Sequence, residues 1–290
     1  MKNQFTTPAI YIDAPIIRGF RQQDWVGVGF LLVQDEAGSA RLQTNVNALS
    51  ASYHLALNKN RSSVLTLGIQ GGSTQRRANL KGSAQGNFNE DITFEEEIPV
   101  ELGGGGLNPG TSQDRTGDRS TNFLDFAVGL MLRTQVGNNM PLEVGVTAGH
   151  VNTPQYALAT AGGSTGVDKP MRLSAHARME LPVNDKWSAT PTVLWQNTAK
   201  TNEIALQGWG NYKLNQDFTL RGGLGYRVND AAKVLLGGDW KDLRVALAYD
   251  LNLSSNPAEV YQGGFEIAAW YILKIFKKPT LKPAILCPRF

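Results

Sequence analysis

Residues 243–253 read LRVALAYDLNL. Leu243, Val245, Leu247, Tyr249, Leu251 and Leu253 fall on one phase, and Arg244, Ala246, Ala248, Asp250 and Asn252 on the other. Successive side chains of a strand point to opposite faces, so this alternation predicts a strand with one face for oil and one that tolerates water. Residues 218–228 repeat the pattern, with Phe218, Leu220, Gly222, Leu224, Tyr226 and Val228 set against Thr219, Arg221, Gly223, Gly225 and Arg227. Residues 171–181 do so again, with Met171, Leu173, Ala175, Ala177, Met179 and Leu181 against Arg172, Ser174, His176, Arg178 and Glu180.

Weaker copies run through residues 9–17, 25–33, 42–57, 64–72, 122–133, 142–148, 187–195, 204–212, 234–240 and 265–275. Together they make about 13 candidate strands, several near the length a tilted membrane strand requires. Short polar turns at 58–61, 184–186, 215–217 and 241–242 join many of them as antiparallel hairpins. Longer connections sit between, at 74–121, 152–169 and 254–262. Short turns at one end and long loops at the other are the plan of an outer-membrane barrel.

Composition agrees by exclusion. The chain has 290 residues, 18% of them charged and 41% hydrophobic, with three histidines and one cysteine. One cysteine excludes a disulfide framework, and the scarcity of histidine and cysteine leaves little for a zinc or iron–sulfur site. The most apolar stretch, 265–276, already contains Glu266 and Lys274, so no helix spans a membrane. The mean hydropathy is slightly polar. That value fits a soluble protein and an alternating membrane barrel equally well. The surplus of three positive charges is spread along the chain, which gives nucleic-acid binding no support. The start lacks a charged segment, apolar core and cleavage site, which predicts a mature fragment or a chain beginning inside a longer gene product.

The two faces separate a barrel from a soluble sandwich. The polar phase carries many small residues mixed with isolated charges, among them Arg133, Glu143, Arg172, Arg178, Glu180, Arg221, Arg227, Arg244, Asp250 and Glu266. A sandwich would present a solvated outer face there, whereas this mixture suits a crowded polar lumen. Trp187 and Trp195 bracket one strand and Phe218 and Tyr226 another, as interfacial girdles require. The fold class expected is therefore all-β, a transmembrane antiparallel up-and-down barrel over residues 1–276, with a long loop at 74–121. A basic, proline-containing tail occupies 277–290.

Candidate sites are few. The glycine run 103–106 lacks the Lys-Ser or Lys-Thr pair of a phosphate loop. The acids Glu90, Asp91, Glu95, Glu96, Glu97 and Glu101 lack the spacing of a calcium loop. They read as a solvated loop, yet a connection this long is often functional. If an exposed segment recognises a partner it is this one, with Glu95, Glu96, Glu97, Asp114 and Arg115 as candidate contacts. His54 and His176 lie away from lipid, and His150 follows the lipid-facing phase at a strand end, so no barrel hydrolase is expected. No catalytic residue, metal or cofactor is assigned. The polar-face arginines either line an anion pore or pair across the lumen with Asp125, Glu143, Glu180, Asp250 and Glu266. Both signs occur in similar numbers, which favours pairing.

The closing elements resemble a known family. Residues 220–230, LRGGLGYRVND, are followed by KVLLGG at 233–238, LRVALAYDL at 243–251, GGFEIAAWYI at 263–272 and a basic tail ending CPRF at 287–290. Together with NQF at 3–5, GVGFLLVQDEAG at 27–38 and ASYHLAL at 51–57, this order resembles the PorP/SprF outer-membrane proteins of the Bacteroidetes type IX secretion system. The resemblance implies about 14 strands in a complete barrel, an even number as bacterial single-chain barrels have. It also implies an accessory role in exporting or displaying a particular cargo, such as a gliding adhesin with a C-terminal sorting domain. The tail residues Cys287, Pro288, Arg289 and Phe290 then become candidates for docking the secretion machinery. An anion or nutrient porin is the alternative, motivated by the polar-face arginines.

Overall fold

A computed structural model describes residues 6–37, 42–79, 118–137, 140–156, 168–199, 201–253 and 263–274. Among them there are only strands and connections. The strands are β1 (Ala9–Arg18), β2 (Trp25–Ala37), β3 (Leu42–Ala56), β4 (Val64–Asn79), β5 (Asp118–Val136), β6 (Met140–Gly149) and β7 (Arg172–Met179). They continue as β8 (Leu181–Pro182), β9 (Trp187–Thr198), β10 (Thr201–Lys213), β11 (Phe218–Arg227), β12 (Ala231–Trp240), β13 (Leu243–Asn252) and β14 (Gly264–Tyr271). All 14 belong to one sheet whose order follows the sequence from β1 to β14, with the two-residue β8 attached to β9 beside that path. Sequential neighbours pairing antiparallel is the up-and-down plan, and the thirteen strands on the path coincide with the stretches of period-two alternation. The fold is of the outer-membrane β-barrel class.

Accessibility is inverted relative to a soluble sheet. The apolar phase of β11, β12 and β13 is the exposed one, with Leu224 68% and Leu236 59% accessible. The opposite phase of β12 holds Leu235, which is 4% accessible. Polar side chains are covered instead: Thr74, Thr190 and Asn211 are buried. Water would penalise an outward apolar face of this extent, and hydrocarbon would not.

The turns follow from asparagine. Asn58, Asn184 and Asn215 each accept, through Oδ1, two backbone N–H bonds from residues two to five positions ahead, at 2.8–3.3 Å. These side chains stand in for backbone and close the β3–β4, β8–β9 and β10–β11 connections. The turn between β12 and β13 is only Lys241 and Asp242, with Lys241 left-handed at φ 54°. It sets Trp240 opposite Leu243 and Asp239 opposite Arg244.

One boundary differs from expectation. The long connection does not begin at Thr74, because β4 runs on to Asn79 and β5 starts at Asp118, with Arg77 still paired to Ser120. Ser73, Gln75, Arg77, Ser120 and Asn122 occupy the exposed phase there. A strand that has left the hydrocarbon needs no apolar outer face, so its alternation fades while its pairing continues. The candidate contacts Glu95, Glu96, Glu97, Asp114 and Arg115, and the tail with Cys287, Pro288, Arg289 and Phe290, lie outside the described residues.

The chain divides into two compact units. One comprises residues 1–182 and 190–207, the other 183–189 and 208–290.

Candidate functional site

In the first unit the polar face opens into a cavity of about 780 Å³. One wall is apolar, formed by Leu31, Val33, Val46 and Ala48 of β2 and β3. The other carries Arg76 of β4, Asp125 of β5, His150, Tyr156, Lys169 and Arg172. The backbone explains how these side chains converge. His150 takes a left-handed φ of 56°, which breaks the alternation of β6 and turns its ring to the polar face. The next residues stay tied to β5: the N–H of Val151 donates to the Phe126 carbonyl at 3.0 Å, and Asn152 bonds both the Phe126 N–H and the Leu124 carbonyl. Lys169 N–H donates to the Pro154 carbonyl at 2.8 Å, which brings the returning chain alongside.

Asp125 is the hub of this wall. His150 Nδ1 lies 2.6 Å from its Oδ2, and Lys169 Nζ 3.6 Å from the same oxygen. A carboxylate only accepts, so the imidazole donates from Nδ1. Burial holds the His150 pKa below its usual value against the opposing hydrogen bond from Asp125. Burial also pushes the Lys169 ammonium down, opposed by Asp125 and reinforced by the charges of Arg172 and Arg76. Lys169 sits over the Phe123 ring at 5.4 Å, and Arg76 over Tyr156 at 5.2 Å.

The first unit has a second cluster in the β1–β2 turn. Asp24 is 1% accessible and accepts from Arg21 Nε at 3.0 Å, Tyr53 Oη at 2.8 Å and the Ala56 N–H at 3.0 Å. The hydrogen-bonded Arg21 guanidinium first, then the Tyr53 hydroxyl and the Ala56 amide, lower the Asp24 pKa to about 2 against the cost of desolvation. Beside it Trp25 stacks on His54 at 4.7 Å between centroids. This cluster anchors the turn.

The second unit closes its polar face with ion pairs. Asp239 of β12 binds Arg221 of β11 at 2.5 Å and Arg244 of β13 at 2.7 Å. Arg221 also donates to Asn211 Oδ1 at 2.7 Å, and Asn211 donates to Ser188 Oγ at 3.1 Å. Lys233 bridges Asp250 at 3.1 Å and Glu266 at 3.3 Å, and Arg227 pairs with Asp230.

These contacts correct the expected pairing. Asp125 answers His150 and Lys169, while Asp250 and Glu266 answer Lys233; in the first unit Arg178 meets Glu143 at 3.4 Å. Most of these partners sit on neighbouring strands or in adjoining turns, where register places them side by side, and Lys233 also reaches past β13 to Glu266 on β14. Arg133 is in register with Glu143, and the Glu180 N–H donates to the Pro141 carbonyl. Arg172 lies in the cavity wall. His150 belongs to the polar face and not to the lipid-facing phase its sequence position implied. Asp239, Lys233, Lys169 and Asp24 went unnoticed in the sequence; the first two were accessible from register, since the two-residue turn alone sets Asp239 against Arg244 and Lys233 against Asp250.

No curated protein matches the chain. Solved structures similar to it include the Pseudomonas putida toluene transporter TodX, at 12% identity over 87% of this chain and 82% of that one, with a TM-score of 0.48. A Pseudomonas aeruginosa FadL homologue is similar at 13% identity over 90% and 74%, with a TM-score of 0.45. The family model described as the type IX secretion system membrane protein PorP/SprF matches residues 1–271. With the up-and-down sheet and its exposed apolar phase, that match places the chain in the PorP/SprF family, membrane proteins of type IX secretion that reside in the outer membrane.

Proposed function

We propose that this chain is a non-catalytic partner of type IX secretion, engaging one particular cargo for export or for anchoring at the cell surface. The family match over residues 1–271 is the observation that carries this reading. The ion-paired polar face supports it: Asp239, Lys233 and Asp230 answer charges that a conducting pore would keep free for solute. The reading predicts that the full chain, extracted from its own envelope in mild detergent, retains a large surface polypeptide through that polypeptide's C-terminal sorting domain. Deleting that domain from the cargo would abolish the association; an association indifferent to the deletion would overturn the reading.

A porin is the second reading, and the polar cavity of the first unit favours it. Planar-bilayer recording separates the two. Stable, anion-selective steps would support a porin, and silence would support a barrel committed to a partner.

A further inference from the structure

The cavity of the first unit holds charge that its own lining does not balance. Among the described residues, Asp125 is the one carboxylate in its wall, against Lys169 and Arg172, while Arg76 is engaged elsewhere. That carboxylate is already held by His150 at 2.6 Å and Lys169 at 3.6 Å. Arg172 stands differently. Its guanidinium lies over Gly149, 3.8–3.9 Å from where a Cβ would sit there, and no carboxylate among the described residues pairs with it.

Two further observations point to a ligand. The part of the lining that β2 and β3 supply is mostly apolar, with Leu31, Val33, Val46 and Ala48 beside Thr44, and all five lie on the inward phase of their strands. His150 also retains a left-handed backbone, which a non-glycine residue adopts at some cost, and its reward is to hold Asp125 in the wall. At about 780 Å³ the cavity falls within the range of small-molecule sites, which combine apolar walls with a few placed polar groups.

We propose that this cavity binds a small organic monoanion, a single carboxylate on a compact apolar body. With Asp125 set against Lys169 and Arg76 engaged elsewhere, Arg172 leaves about one unit of charge unanswered, which favours a monoanion over phosphate. The planar fork of Arg172 matches a carboxylate through two parallel N–H bonds. Val33, Val46 and Ala48 then take up the apolar body.

The test uses the full chain in non-ionic detergent with 2-naphthoate as probe, followed by calorimetric titration. Saturable binding at one site is expected, with 2-naphthamide at least about tenfold weaker and inorganic phosphate unable to displace the probe. Arg172→Gln should weaken 2-naphthoate roughly tenfold while the protein keeps its heat-modifiable gel mobility. Val46→Asn should weaken it through the other wall, and Arg178→Gln, whose partner Glu143 lies outside the cavity, should leave it unchanged. Absence of saturable binding, equal binding of the amide, or displacement by phosphate would overturn the proposal. So would wild-type affinity in both Arg172→Gln and Val46→Asn.

Discussion

At the residue scale, two aspartates illustrate how a barrel holds charge. Asp24 is nearly inaccessible, yet all its contacts come from donors. Its folded pKa of about 2 lies below that of an unfolded aspartate, so its contribution to stability is present above the unfolded value and lost as pH falls through about 2. Asp24→Asn should therefore unfold at lower temperature than the wild type at neutral pH. The gap should close between about pH 4 and pH 2, and melting curves across that interval check it. Asp239 works between strands, serving Arg221 and Arg244 together. Removing its charge leaves two guanidiniums facing each other's strands, and Asp239→Asn should cost about 2 kcal/mol in denaturant unfolding. Arg244→Gln on top of it should cost little more, because the partner is already gone.

At the element scale, the strands were legible wherever hydrocarbon imposes alternation. Residues 243–253 declare both faces outright, and β13 occupies them as Leu243–Asn252. Residues 73–79 do not, because polar side chains fill both phases there, and the sequence reads as loop where the backbone still pairs. His150 misled for a related reason: one left-handed residue shifts the phase, and a sequence pattern carries no φ angle. The candidate cavity was opaque because its residues come from β2 to β7, the segment between β6 and β7, and β9, so only the folded register collects them. The extended β4–β5 pair makes a prediction. In a Cys287→Ser background, Arg77→Cys with Ser120→Cys should form a disulfide under mild oxidation, because those positions are directly paired. Arg77→Cys with Leu124→Cys should not. Equal cross-linking of both pairs would mean a loop there, and non-reducing electrophoresis reads the result. A second device is spatial: Gly145 lies opposite His176, whose ring would be 2.4 Å from an added Cβ. Gly145→Val should push that ring aside and lower the melting temperature by several degrees, as a cost of about 1–3 kcal/mol implies.

At the scale of the whole molecule, the exposed apolar phase and the family match assign the chain to the outer membrane, and the ion pairs of its polar phase are the ground for proposing a partner over a pore. The motif order from LRGGLGYRVND to GGFEIAAWYI made the family readable from residues alone, because each of those motifs sits on strands and turns of the sheet. Nothing comparable names the cargo, since recognition is a matter of surface chemistry and not of strand alternation. Detergent-solubilised protein should run at two gel mobilities depending on heating, as closed membrane barrels do, and recovery without detergent as a soluble monomer would contradict that. The reading as a cargo partner rests most directly on the surface and culture-fluid proteome of a strain lacking this gene. Loss of one or a few surface polypeptides from their normal location, with other type IX substrates still exported, is the predicted result; loss of every substrate, or of none, would contradict it.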